Sequence, residues 1–169
     1  MKGKYEIIFQ ASMVSMLFVL VACQSASRKI DEKNSLTYRV IGIRDGDTFN
    51  LLINGKSKGI RLGDIDCPEK GQPFGKAAKQ FASDLCFGKE VRLVTENKSA
   101  GWGRIVGWIY VDDTVCVNKE LVKAGLAWQY DKYSDNEEYA QLENEAREKK
   151  VGLWADANPI PPWDWRKKD

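Results

Sequence analysis

The sequence predicts an α+β fold in which a five-stranded β-barrel carries about three helices. The prediction depends on the order of the hydrophobic patterns: three strand-like segments, one helical segment, two more strand-like segments and two helical segments. Strand-like segments alternate apolar and polar residues, whereas helical segments repeat apolar residues every three to four positions. The chain has 169 residues and no internal repeat, so it is long enough for one domain with a substantial core.

The first three predicted strands form an antiparallel meander. They span Leu36–Ile43, Thr48–Ile53 and Ser57–Ile65, and each combines alternation with β-branched residues. The acidic turn Asp45-Gly46-Asp47 separates the first two strands. Asn54-Gly55 separates the second from the third and is a strong hairpin signal.

One helix and two further strands follow the meander. The helix is predicted over Phe74–Phe87, because apolar residues recur on one face and Gly88 follows as a stop. The fourth strand is predicted over Lys89–Thr95 and the fifth over Arg104–Val111. The polar segment Glu96–Gly103 between them is predicted to be a loop.

Two helices and an irregular tail complete the predicted fold. Asn118 is expected to cap a short helix that runs through Lys123. The capping box that starts at Ser134 predicts a helix that ends at Lys150, and the proline- and tryptophan-rich segment Pro159–Trp165 predicts an irregular tail. This order of elements resembles an OB-type five-stranded barrel with helical additions.

The composition excludes several classes of chemistry. The chain contains no histidine, which excludes Ser-His-Asp and Cys-His catalysis and histidine-liganded zinc. A metal site must therefore be built from oxygen donors, which favours calcium or magnesium. The formal net charge is +2, so the total charge gives no strong field for nucleic acid, although a local basic patch is enough to bind it.

The N-terminal segment Met1–Cys23 has the pattern of a targeting signal. Two lysines precede a short apolar stretch, and the sequence Leu20-Val21-Ala22-Cys23 resembles the lipobox of bacterial lipoproteins. We expect a signal peptide over residues 1–22, lipidation of Cys23 and a flexible tether over residues 23–35. This predicts an exported, membrane-anchored lipoprotein, either in an outer membrane facing the periplasm or extracellular. An ordinary signal peptide with an incidental cysteine is the alternative.

Three acids and two arginines are the candidates for chemistry. Asp47 lies at a turn, Asp66 beside a proline and Glu69 at the mouth of a loop, where solvated or turn-forming carboxylates are also common. Arg61 lies inside an apolar strand and Arg104 begins one, and the alternative for both is an outward-facing strand residue. Acids that hold a hard cation and arginines that hold a phosphate are the requirements of metal-assisted phosphodiester chemistry.

The spacing of Arg61 and Asp66 imposes a structural condition. They lie five positions apart, so a regular strand would point their side chains to opposite faces. They can converge only if the strand bends or bulges between them. Gly63 is the expected position of that bend.

Four short motifs together carry a resemblance to a known family. The combination Asp45-Gly46-Asp47-Thr48, Arg61-Leu62, Asp66-Cys67-Pro68-Glu69 and Gly103-Arg104 resembles the staphylococcal nuclease family over about Leu36–Trp154. The resemblance implies an SNase-like OB fold and calcium-dependent hydrolysis of DNA and RNA phosphodiesters that leaves 3′-phosphates. It implies that Ca2+ is ligated by the carboxylates of Asp47 and Asp66 and by the backbone carbonyl of Cys67. It also implies that Glu69 is the general base or orients the attacking water, and that Arg61 and Arg104 clamp the phosphate.

The sequence departs from the family pattern around the substrate. Cys67 replaces a threonine, Trp102 replaces a tyrosine and Gly101 replaces a lysine. Trp102 can still stack on a base or sugar. The second substrate tyrosine corresponds either to Tyr130 or to Tyr133, and Tyr130 is preferred. We expect single-stranded or unpaired DNA and RNA to be the favoured partners.

Three cysteines remain if Cys23 is lipidated. An odd number allows at most one internal disulfide, and an exported compartment would let Cys86 and Cys116 pair. The alternative is that both are buried thiols that behave as small hydrophobic residues.

Three functions from different classes therefore compete. The first is a membrane-tethered nuclease whose domain spans residues 36–154, followed by a tail over residues 155–169. The second is a non-catalytic OB-type module that binds nucleic acid or a protein partner, and the third is a structural envelope lipoprotein that uses its tryptophan-rich tail. The simultaneous presence of Asp47, Asp66, Glu69, Arg61 and Arg104 favours the enzyme. We expect a monomer, since nothing in the sequence suggests a large exposed apolar face.

Overall fold

The computed structural model describes residues 36–167, except for the side chains of residues 36, 97–99 and 102. The predicted signal peptide, the lipidation of Cys23 and the tether lie outside the described residues. Within residues 36–167, no helix is both long enough and apolar enough to cross a membrane.

Eight strands and four α-helices make up the described part of the chain. The strands are β1 (Leu36–Ile43), β2 (Thr48–Ile53), β3 (Lys56–Leu62), β4 (Ile65–Asp66), β5 (Glu90–Ala100), β6 (Arg104–Val111), β7 (Val115–Cys116) and β8 (Trp128–Gln129). The helices are α1 (Gly75–Cys86), α2 (Val117–Lys123), α3 (Glu137–Glu148) and α4 (Pro162–Trp165). Two 3-10 turns cover Gly101–Gly103 and Gly152–Ala155.

Five of these strands close into a barrel. The sheet has the order β3-β2-β1-β5-β6-β7, and β3 also pairs with β6. This last pairing is parallel and aligns Ile60 with Ile105 and Arg61 with Val106, whereas the other pairings in the sheet are antiparallel. The predicted α+β fold with a five-stranded OB-type barrel is confirmed.

The barrel interior is filled by residues that alternate along the strands. Phe49 and Leu51 of β2 and Ile60 and Leu62 of β3 are almost completely buried. Arg61 lies between two of them, so the pleat of the strand turns its side chain out of the barrel. The barrel therefore fixes the direction in which this arginine projects.

The structure corrects two predicted boundaries. β5 continues to Ala100, where the polar segment Glu96–Gly103 was predicted to be a loop. It pairs with β6 on both sides of an irregularity between Thr95 and Ser99, so cross-strand hydrogen bonding outweighs the polar sequence. The tail is also not wholly irregular, because Pro162–Trp165 forms α4 with proline at its first position.

The structure also corrects the predicted role of Asn118. The cap of α2 is Cys116, and Asn118 lies fully buried inside the helix. Its Nδ2 donates to the carbonyl oxygen of Gly63 over 3.0 Å, and its Oδ1 accepts from the amide of Ile109 over 3.3 Å. Asn118, which the sequence predicts as a helix cap, instead joins α2 by hydrogen bonds to β6 and to the end of β3.

The third and last long helix begins close to the predicted capping box. The N-cap of α3 is Asn136, whose side chain accepts from the amide of Glu138 over 3.0 Å. Ser134 instead accepts from the amide of Asn136 over 3.3 Å. The box therefore marks the start of the helix correctly, while the cap is two residues further along the chain.

The disulfide considered between Cys86 and Cys116 is not formed. Cys67, Cys86 and Cys116 are free and buried. The thiol of Cys86 donates to the carbonyl of Ala82 over 3.1 Å, and the thiol of Cys116 lies 3.8 Å from the hydroxyl of Tyr139. Burial raises the pKa of the Cys86 thiol to about 12. These cysteines behave as small core residues.

Candidate active site

A break in the third strand brings Arg61 and Asp66 together. β3 ends at Leu62 and β4 begins at Ile65, and Asp64 between them has φ 65°. A Cβ on Gly63 would lie 2.8 Å from the ring of Trp108, so glycine is required beside that ring. The break lets Nη2 of Arg61 reach Oδ1 of Asp66 at 2.5 Å. The bend thus lies where the five-residue spacing demands it.

Two buried carboxylates share the Arg61 guanidinium. Asp47 is 3% exposed and Asp66 is 0% exposed. Arg61 forms an ion pair with Asp47 through Nη1 and with Asp66 through Nη2. Buried charges are tolerated only when they are paired and hydrogen-bonded. The two acids are therefore stabilised by one shared cationic side chain, with Asp47 immediately before β2 and Asp66 in β4.

Cys67 contributes its main chain to this site and its side chain to the core. The amide of Cys67 donates to Oδ2 of Asp47 over 2.6 Å. A Cβ on Gly46 would lie 2.8 Å from the Cβ and Sγ of Cys67 and from the Cβ of Ala78. The thiol therefore packs on Gly46 and the first helix, and burial raises its pKa well above the usual value. A neutral thiol that faces the core explains why cysteine can stand in this position.

Arg104 faces the same space as Arg61. Its Nε donates to the carbonyl of Gly101 over 3.1 Å and its Nη1 to the hydroxyl of Thr48 over 3.3 Å. Burial and then repulsion from Arg61 lower the pKa of Arg104 from its usual value. These contacts hold the guanidinium at the start of β6 with donors still directed into the cleft.

Glu69 lies in a loop that is held by the hydrogen bonds of Gln72 and by the start of α1. Its amide donates to Oε1 of Gln72 over 2.9 Å, and Nε2 of Gln72 donates to the carbonyl of Ile160 over 2.6 Å. A Cβ on Gly75 would lie 2.1 Å from the carbonyl oxygen of Glu69, so the start of α1 presses directly on the loop. Glu69 is therefore held at the edge of the acid pair by fixed backbone contacts.

Arg166 is the residue that sequence reasoning missed. Its Nη2 donates to Oδ2 of Asp66 over 2.8 Å, and its Nη1 donates to Oε1 of Glu69 over 2.6 Å. The hydrogen bonds to Asp66 and to Glu69 raise the pKa of Arg166. The only signal in the sequence was a basic residue that follows the two tryptophans of the tail, and no motif pointed to the site.

Several of these side chains line one open cleft of about 1030 Å³, namely Asp47, Arg61, Glu69, Arg104 and Arg166. Asp66 is fully buried and binds two of the arginines, Arg61 and Arg166. Carboxylates and several arginines around one cleft form an arrangement that suits an anionic substrate held next to a cation.

Comparisons with known proteins agree with this arrangement. A sequence profile described as "Staphylococcal nuclease homologue" matches residues 59–156, which is more than half of the chain. The chain belongs to the staphylococcal nuclease family. It is 41% identical over 158 residues to an "Uncharacterized endonuclease" of Haemophilus influenzae, an alignment that covers 93% of this chain and 85% of the relative. It is also 40% identical over 139 residues to a "Micrococcal nuclease" of Shigella flexneri, which covers 76% of this chain and 79% of the relative.

Two of the aromatic residues expected from the staphylococcal nuclease family lie at the cleft. Tyr130 and Tyr133 both line it, and their ring centroids are 4.9 Å apart. The ring of Tyr130 is stacked on Trp163 at 5.4 Å, whereas the Tyr133 side chain is 69% exposed. One face of Tyr130 is therefore already covered, so its preference over Tyr133 stays a prediction. The side chain of Trp102 lies outside the described residues.

The donor set of this staphylococcal nuclease homologue fits a hard cation. Among residues 36–167, no three His, Cys, Asp or Glu side chains cluster as a metal site. The site instead offers two carboxylates, and the backbone carbonyl of Cys67 is the third expected oxygen. The carboxylates of Asp47 and Asp66 already share a cationic group in Arg61. Oxygen donors without a soft ligand are the set that calcium prefers.

Proposed function

We propose that this protein is a calcium-dependent endonuclease that hydrolyses DNA and RNA phosphodiesters and leaves 3′-phosphates. The observation that carries the proposal is that one cleft is lined by Asp47, Arg61, Glu69 and Arg104, which come from four separate segments of the chain. The buried Asp66 joins this group through its contact with Arg61. Membership of the staphylococcal nuclease family and relatives named as nucleases support the same activity.

Asp47 and Asp66 would hold the calcium ion through their carboxylates, and Cys67 would hold it through its carbonyl oxygen. When bound, the ion neutralises a phosphate oxygen and lowers the pKa of a coordinated water. Asp47 and Asp66 are almost fully buried, so their charges act in a region of weak solvent screening.

Arg61 and Arg104 bind the scissile phosphate. Both guanidinium groups face the cleft, and each carries donors in a planar fork that matches phosphate oxygens. Arg104 is fixed by Gly101 and Thr48, so little reorganisation is needed as negative charge develops on the phosphate oxygens. Removal of one such preorganised donor typically slows turnover by about 100- to 1000-fold.

Glu69 is the general base. It accepts a proton from the attacking water while the water oxygen bonds to phosphorus, and the bond between phosphorus and the 5′ oxygen then breaks. The departing 5′ oxygen accepts a hydrogen bond from Arg104 and takes a proton from solvent. The products are a 3′-phosphate and a free 5′-hydroxyl.

The exposed ring of Tyr133 favours a substrate with accessible bases. Tyr133 presents an open ring beside the cleft, and Trp102 lies on the turn that precedes Arg104. Stacking of a base on such rings is worth about 1–3 kcal/mol and requires that the base is unpaired. Single-stranded DNA and RNA are therefore the proposed substrates. We also propose that the protein acts as a monomer.

The proposed location is a membrane surface outside the cytoplasm. Residues 1–22 act as a signal peptide, and Cys23 carries the lipid anchor. Metabolic labelling with a palmitate analogue tests this proposal. We expect labelling of the wild-type protein and none of Cys23→Ala, and equal labelling of both would refute a lipidated Cys23.

Cleavage of single-stranded DNA by the purified protein tests the activity. We expect cleavage with calcium, none with chelator, and a loss of at least about 100-fold in Glu69→Ser. Glu148→Ser is the matched control, because it removes an exposed acid near the end of α3 that is remote in sequence from the site. If the folded protein binds DNA at every calcium concentration and never cuts it, the enzyme proposal is wrong and a binding module replaces it.

A further inference from the structure

The C-terminal segment is fixed next to the acids by contacts with β8, Tyr130 and the loop that carries Glu69. Pro162 is buried, and Trp163 packs edge-on against Trp128 at 5.7 Å and parallel to Tyr130 at 5.4 Å. Gln72 donates to the carbonyl of Ile160, which joins the same segment to the loop that carries Glu69. These contacts are independent of Arg166, so the segment is held whether or not its arginine makes an ion pair.

Arg166 reaches the acids from the end of this segment. One guanidinium nitrogen bridges Asp66 and Glu69, and a second nitrogen binds the other oxygen of Asp66. Asp66 is fully buried and also binds Arg61, whereas Arg166 itself is 40% exposed. Arg166 therefore binds Asp66 and Glu69 at the same time. This fixes the position of the proposed base relative to the buried carboxylate.

We propose that Arg166 is a positioning residue of the active site, which orients Glu69 and balances the charge of Asp66. This inference rests on the proposed nuclease function. The sequence profile of the family ends at residue 156, so Arg166 lies beyond the region that defines the family match. The active site of this chain therefore includes its C-terminal segment.

Two effects of Arg166 have opposite signs. Its charge lies in direct contact with Asp66, so it disfavours a metal cation at the acid pair. Its fork fixes Oε1 of Glu69, so it favours a productive position of the base. Loss of Arg166 is expected to tighten calcium binding and to slow turnover at the same time. General damage to the fold would instead lower both the calcium affinity and the turnover rate.

An alternative role for Arg166 is that of a removable plug, an inhibitory group that blocks Asp66 and Glu69 until it is displaced. The fixed backbone of the segment argues against this alternative. A plug would have to leave the acids before metal binds, and activity would rise when it is removed. Here the ring contacts of Trp163 and the hydrogen bond from Gln72 to Ile160 hold the segment in place just before Arg166. Arg166 therefore stays beside Glu69 during the reaction.

The test compares Arg166→Ala, Arg166→Lys and Lys167→Ala in the full-length protein. Lys167→Ala is the matched control, because it removes the same charge one residue further on, where Lys167 binds only Asp164 among its described partners. Calcium affinity is measured by calorimetric titration without nucleic acid, and kcat and KM are measured with single-stranded DNA at saturating calcium. Thermal unfolding of each variant checks the fold.

We expect Arg166→Ala to bind calcium at least about threefold more tightly. Its kcat should fall by about 10- to 100-fold, and Arg166→Lys should recover part of this loss because it keeps the charge without the fork. Lys167→Ala should match the wild type in both measurements. Wild-type calcium affinity together with wild-type kcat in Arg166→Ala would overturn the inference, and a higher kcat would show a plug instead.

Failure of the proposed function gives a different result. A wild-type protein that never cleaves DNA refutes the nuclease. The calcium titration then still decides whether Arg166 acts on the acid pair, because that measurement needs no cleavage. An unchanged calcium affinity in Arg166→Ala would overturn the inference in that case as well.

Discussion

Asn118→Ala should destabilise the protein strongly, although the sequence suggests only the loss of a helix cap. The variant removes the side-chain partners of the Gly63 carbonyl and the Ile109 amide. Both lie in the buried junction of α2 with the barrel, where Asn118 is 0% exposed. Each buried polar group that loses its partner costs about 1–3 kcal/mol, so the loss expected from the two groups is about 2–6 kcal/mol.

Urea unfolding followed by circular dichroism measures this loss. Asn136→Ala is the matched control, because Asn136 caps α3 at the surface through one hydrogen bond to Glu138. An exposed cap of this kind is worth about 1 kcal/mol. The midpoint should fall in both variants with an unchanged dependence on urea concentration, and it should fall further in Asn118→Ala. If Asn118→Ala costs no more than Asn136→Ala, the structural bridge through Asn118 is not important for stability.

Three further changes test the site and the core. Gly75→Ala places a Cβ 2.1 Å from the Glu69 carbonyl, so we expect cleavage to fall by at least about 10-fold. Gly55→Ala is the control: its φ of 72° disfavours alanine, but its Cβ meets nothing within 4 Å and it does not line the cleft, so the folded variant should keep its activity. Equal activity in both variants would contradict the contact between Gly75 and the Glu69 loop. Trp163→Ala removes the ring that packs on Trp128 and Tyr130, and its kcat should fall towards that of Arg166→Ala; a full wild-type kcat would show that the segment is held without the ring. Burial raises the pKa of Cys86 from 9.0 to about 12, so the fold favours the neutral thiol, and this contribution to stability is complete below pH 9 and is lost as the pH rises towards 12. The free energy of unfolding, measured with urea across that range, should fall less steeply in Cys86→Ala than in the wild type, and equal slopes would exclude the thiol as the cause.

The barrel could be predicted from the sequence because its signals are local. Alternation in Leu36–Ile43 and Thr48–Ile53 and the Asn54-Gly55 turn fix three strands and their connections without reference to the rest of the chain. The requirement for a bend between Arg61 and Asp66 also follows from spacing alone. By contrast, the continuation of β5 to Ala100 depends on its partner β6, which the polar sequence does not show.

The candidate site was predicted where it consists of short motifs and missed where it depends on packing. Asp47, Arg61, Asp66 and Glu69 lie within motifs whose order is informative. Arg166 reaches the site because Trp163 packs on β8 and Gln72 binds the carbonyl of Ile160, and no local sequence pattern encodes such contacts. The bridge made by Asn118 was missed for the same reason, since a buried and an exposed asparagine have the same sequence signal at the start of a helix.

The parallel pairing of β3 with β6 affects the order of events in folding. Arg61 and Arg104 stand on the two strands that meet at this closing seam, and the residues paired there, such as Ile60 and Ile105, are far apart in the sequence. Contacts of such long range form late and slowly in β proteins, because loop closure costs entropy before the contact is gained. A chain in which β3 and β6 are not yet paired keeps apart the two arginines that we propose bind phosphate. Cleavage activity should therefore return during refolding only when β3 and β6 pair. The rate at which activity returns would then report the rate of this last step of barrel formation.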